Sequence, residues 1–86
     1  MYNKKYILEK IEEFHRHNPL YDNMEGCLCY IAYLNVGERG WFLYGLGGLY
    51  DYPSRVRTSV IKDVRYTDEA VIVTTQNTRF TFKLIT

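Results

Sequence analysis

The two histidines and two cysteines of this sequence, types that ligate metals or attack electrophiles, come in two pairs with one residue between: His15-x-His17 and Cys27-x-Cys29. A structural zinc bound by all four would staple a small chain. The spacing argues otherwise. On a helix two residues apart point about 200° from each other, and Cys-x-Cys is tighter than the gap usual in zinc modules. The same closeness rules out a framework of bridges between distant segments. Both cysteines lie in the apolar run CLCYIAYLN, where a thiol packs and stays inert. No pair of carboxylates is placed by motif beside a glycine-rich or aromatic cleft, so general acid-base catalysis lacks its parts. The expectation is a chain that is not an enzyme and needs no metal or cofactor.

The glycines of YGLGGLY raise a second chemistry, since Gly45, Gly47 and Gly48 could let backbone amides approach a phosphate. Tyr50 stands where the third fingerprint glycine belongs, and no lysine follows in the Walker arrangement. A bend between strands is the simpler use of these glycines. Within the same stretch, LYDY (Leu49 to Tyr52) resembles the ALYDY signature of Src-homology-3 domains, which implies a groove lined by tyrosines for proline-rich peptides. The paired tryptophans of that family are missing, and the single tryptophan, Trp41, precedes the motif.

Tyrosine is the excess residue, nine of 86. Tyr44, Tyr50 and Tyr52 cluster in sequence with Trp41, Arg55 and Arg57, and these three residue types are enriched at binding hot spots because they combine large contact area with a polar tip. The same aromatics also serve a small sheet as cross-strand pairs. Eleven Lys and Arg against ten Asp and Glu give a net charge of +1, so no overall field draws the chain to nucleic acid or acidic membranes. The alternative function is single-stranded nucleic-acid binding, with Arg55, Arg57, Lys62 and Arg65 on phosphates and bases stacked on tyrosine. Asp51, Asp63, Asp68 and Glu69 interrupt that patch.

What must position these groups is one domain, residues 1–86, since the length fits one core and not two. Ile7, Ile11 and Phe14 recur at steps of four and three, with Leu8 and His15 beside them. That spacing predicts a helix from Asn3 to His17, capped by Asn3, supported by Glu12 and Arg16, and stopped at Asn18-Pro19. From residue 27 to 85 the pattern alternates. CLCYIAYLN, WFLYGL, VRTSVIKDVRY, AVIVTT and TRFTFKLI read as strands, with turns at VGERG, Thr67-Asp68-Glu69 and Gln76-Asn77. In the last strand Phe80, Phe82 and Leu84 share a face opposite Arg79, Thr81 and Lys83. The expected fold class is α+β: one amino-terminal helix on a strongly bent sheet of about five antiparallel strands, or a small Src-homology-3-like barrel. No run approaches the ~20 apolar residues that span a bilayer, and no apolar signal core follows the first lysines, so a soluble cytoplasmic protein is expected.

RVRTSVIKDV and VTTQNTRFTF, about a third of the chain, resemble the carboxyl-terminal part of small, mostly uncharacterised proteins from phages and mobile elements of Gram-positive bacteria. The resemblance implies an accessory or inhibitory protein that acts by binding a host protein. Together these readings give a binding module that docks on another protein, or on a second copy of itself, through Trp41, Tyr44, Tyr50, Tyr52, Arg55 and Arg57.

Overall fold

The computed structural model describes residues 4–15, 17–22, 24–45 and 54–85. Six strands follow one another: β1 (Tyr6–Glu13), β2 (Leu28–Tyr33), β3 (Arg39–Tyr44), β4 (Ser54–Tyr66), β5 (Ala70–Thr75) and β6 (Thr78–Leu84), with a 3₁₀ turn at Pro19–Tyr21. Each strand pairs antiparallel with the next, and β1 returns to pair with β6, so the sheet closes into a barrel. Closure removes the two free edges that a short twisted sheet would otherwise present to other chains.

The class is therefore all-β, and the expected helix over Asn3 to His17 is corrected: Tyr6–Glu13 of it form β1, while Asn3 and Arg16 lie outside the described residues. The physical reason lies in a bulge. Leu8 pairs with Phe82 and Ile11 with Phe80, but the register shifts between Leu8 and Lys10. An extra residue in a strand turns the inward step of two into a step of three, so Leu8 and Ile11 share the inner face at a spacing that imitates a helix. Phe14, read as part of the helical stripe, is exposed, with Arg79 lying over its ring. Seven residue pairs join β1 to β6, from Tyr6–Leu84 to Glu13–Thr78. Those main-chain bonds to the barrel outweigh a local helical preference, which is a weak prior against tertiary pairing.

Inside the barrel sit Leu8, Cys29, Phe42, Ile61, Val71, Val73, Phe80 and Phe82, with Met24 from the β1–β2 connection joining them. Phe42 meets Phe80 and Phe82 edge-on, with ring centroids 5.5 and 5.0 Å apart, the geometry that sets the positive rim of one ring against the negative face of another. The expected inward face of the last strand holds for Phe80 and Phe82, which are buried.

Two turns are built as their residues suggest. Thr67 Oγ1 accepts from the amide of Ala70 at 3.0 Å, and Thr75 Oγ1 accepts from that of Thr78 at 3.0 Å, a local side-chain bond that reverses the chain. β4 is long because it serves two neighbours. Ser54 to Val60 pair with β3, whereas Ile61 to Tyr66 pair with β5, so the strand bends across the barrel and hands its first half to the face described next.

Candidate interaction face

Directly opposed residues of an antiparallel pair lie on the same face of a sheet. Reading across β2, β3 and β4, Ile31, Phe42 and Val56 form an inner row, and two outer rows flank it: Tyr30, Leu43 and Arg55, then Tyr33, Trp41 and Arg57. One register shift creates the second outer row and another bounds it. One falls between Ile31 and Tyr33 and places Tyr33 against Trp41. The other falls between Arg39 and Trp41, where Gly40 donates its amide to Thr58 Oγ1 at 2.9 Å.

The face is aromatic and cationic. The Arg55 guanidinium carbon lies 5.5 Å from the centre of the Trp41 ring, within range of a cation–π attraction. Arg55, Arg57 and Tyr33 are exposed, while Trp41, Leu43 and Tyr30 are half-buried. Arg39 is exposed as well, its Nε donating to the Thr58 carbonyl at 3.0 Å. At the rim, Tyr33 Oη donates to Glu38 at 3.0 Å and Asn35 Nδ2 donates to the same carboxylate at 2.8 Å. Among the described residues neither Arg55 nor Arg57 has a carboxylate partner.

Of the six residues expected from sequence to bind, the fold thus brings Trp41, Arg55 and Arg57 onto one surface. Tyr44 stands in the inner register with Cys29 and packs against the core. Tyr50 and Tyr52 lie outside the described residues. Tyr30, Tyr33 and Leu43 complete the surface; the two tyrosines were missed because the β2 segment reads as apolar on both sides, and Leu43 because an apolar residue of β3 reads as core. The signal that identifies them is pairing register, which alternation within a single strand does not carry.

The histidines and cysteines occupy other places. His17 lies in the connection between β1 and the 3₁₀ turn, where Nδ1 is 2.9 Å from Glu13 Oε1 and Nε2 meets an Asp22 carboxylate oxygen. The second Glu13 oxygen accepts the Asn18 amide. This clamp borders a polar pocket of about 560 Å³, also lined by His15, Tyr21, Ser59 and Asn77. Tyr21 is pushed up chiefly by burial. Cys29 is buried and its thiol is pushed up to about 12, mainly by burial, which leaves almost no thiolate for nucleophilic work at neutral pH. Among the described residues no three His, Cys, Asp or Glu side chains stand together as a metal site.

The clamp makes stability depend on pH. The Glu13 hydrogen bond and the Asp22 charge raise His17 above its usual 6.5, so its contribution is complete below that value and fades as pH rises through the raised one. The Asn18 amide bond lowers Glu13 below 4.5, against a smaller opposing effect of burial, with His17 helping. Its contribution is complete above that value and fades as pH falls through the lowered one. The two overlap between about pH 4.5 and 6.5. The melting temperature of the protein should therefore exceed that of His17→Gln by most near pH 5.5, and the gap should narrow toward pH 8. A gap that widened with pH would contradict the ion pairs.

Comparison with protein-family models, curated proteins and solved structures finds no match. No helix among the described residues is long and apolar enough to cross a membrane.

Proposed function

We propose that this barrel is a non-enzymatic interaction module that docks a protein partner on the outer face of β2, β3 and β4. The observation carrying this reading is the pair of outer rows in which Trp41 sits between Tyr33 and Arg57 and beneath Arg55. Half-buried aromatics ringed by exposed arginines are the residue mix from which hot spots are built. The sheet closes into a barrel, with β1 and β2 joined at Tyr6–Cys29 and Ile7–Leu28, so most of its main chain is already paired and the proposed contact falls to side chains on a face. The likeness of the carboxyl-terminal third to small phage and mobile-element proteins adds a context: an accessory or inhibitory protein whose partner is a protein of the host.

Single-stranded nucleic acid is the alternative, and the small barrel with two arginines on one face is compatible with it. In that reading a base would stack on the exposed Tyr33, because Arg55 covers one side of the half-buried Trp41. The test of the protein-docking reading is alanine substitution at Trp41 and at Arg57, each expected to abolish partner binding in a protein that still folds. Tyr44→Ala, in the inner register, serves as the comparison.

A further inference from the structure

We infer that the partner segment is acidic, with an apolar anchor seated between its carboxylates; this rests on the docking face proposed above. The arginines carry the argument. Arg55 and Arg57 are alternate residues of one strand, so they leave the same face about 6.6–6.8 Å apart along it, and both are exposed without an anionic partner among the described residues. Arg39 adds a third cation on the same outer face, since it opposes the exposed Val60, and its Nε donates to the Thr58 carbonyl. The rim carboxylate, Glu38, accepts from Tyr33 and Asn35.

A net charge of only +1 means that this cationic surface is local and is balanced elsewhere on the chain. Part of that balance lies on β1, where Glu9, Glu12 and Glu13 outnumber Lys10. A guanidinium fork matches a carboxylate bidentately, and such pairs are stronger than neutral hydrogen bonds. Between the arginines and the β2 tyrosines, Leu43 and Trp41 form a half-buried apolar strip. That strip fits one apolar side chain of the partner. Arg55 lies against Trp41, which holds one guanidinium in place before any partner arrives and lowers the ordering cost of binding.

The experiment selects a random twelve-residue peptide library on the immobilised full-length protein, on Arg55→Glu/Arg57→Glu, and on Trp41→Ala, each checked for folding by circular dichroism. The protein should enrich peptides with two or more Asp or Glu around one large apolar residue. The charge-reversed variant should bind those peptides about 30-fold or more weakly and enrich basic ones instead. Enrichment of uncharged peptides that Trp41→Ala abolishes would overturn the acidic assignment and leave the docking face standing. Enrichment indifferent to Trp41→Ala, or none above the bare support, would overturn the docking face itself. Displacement of selected peptides by a twenty-residue oligothymidine at low salt would overturn the acidic-protein assignment in favour of nucleic acid.

Discussion

Phe42→Ala is expected to lose about 3–5 kcal/mol of unfolding free energy, the usual cost of deleting a fully buried phenylalanine ring. The ring is at the centre of the barrel, fully buried, and within 5.5 Å of Phe80 and 5.0 Å of Phe82, centroid to centroid. Its removal withdraws both edge-on contacts and leaves a hole lined by β6, which also holds β1. A domain of this size has a total stability on the order of 5–10 kcal/mol, so the variant should be unfolded by far less urea than the parent. Phe14→Ala, on an exposed residue, should cost under about 1 kcal/mol. Urea titrations of both would check this, and a Phe42→Ala loss below that of Phe14→Ala would mean that β3 does not face the core.

The second large effect is expected at Gly40. A Cβ built there would stand 2.6 Å from the Tyr33 carbonyl oxygen, 2.7 Å from Ile61 Cδ1 and 3.2 Å from Leu34 Cδ2. The isoleucine tip could turn aside, but the carbonyl belongs to the main chain of β2 and cannot move without changing the pairing. Overpacking of this kind costs typically ~1–3 kcal/mol. Gly40→Ala should fall in that range, and Gly40→Val, with two further methyl groups, beyond its upper end. The consequence reaches the proposed interaction face, because Gly40 precedes Trp41 and its amide holds Oγ1 of Thr58, the residue after Arg57, which opposes Trp41. Trp41 is the only tryptophan, so its fluorescence should shift toward that of a solvent-exposed indole in Gly40→Val even below the unfolding transition. Unchanged stability and emission would refute the close approach.

How far the sequence spoke for itself differs between the two ends of the chain. AVIVTT and TRFTFKLI alternate regularly and stand between Thr-based turns, so β5, β6 and their inward phenylalanines are legible without coordinates. β1 is not legible in that way. Its bulge between Leu8 and Lys10 replaces the period of two with a helical step, and the reason for the strand, pairing with β6, lies some seventy residues away. The proposed interaction face was half legible for a related reason. Residue type singled out Trp41, Arg55 and Arg57, but which tyrosines join them depends on register across β2 and β3, and the bulge at Ile31/Tyr33 resets that register. Tyr44 has the right chemistry and the wrong parity.

The most direct measurement of the docking face is a nuclear magnetic resonance titration of the isotope-labelled protein with a peptide selected on it, repeated on Trp41→Ala and Arg57→Ala. The expected result is amide shifts concentrated at Tyr30, Tyr33, Trp41, Leu43, Arg55 and Arg57, with affinity reduced at least about 30-fold in each variant, as for a hot-spot residue, and the folded spectrum retained. Shifts clustered instead around Glu13, His17 and Tyr21, with undiminished affinity in both variants, would contradict it.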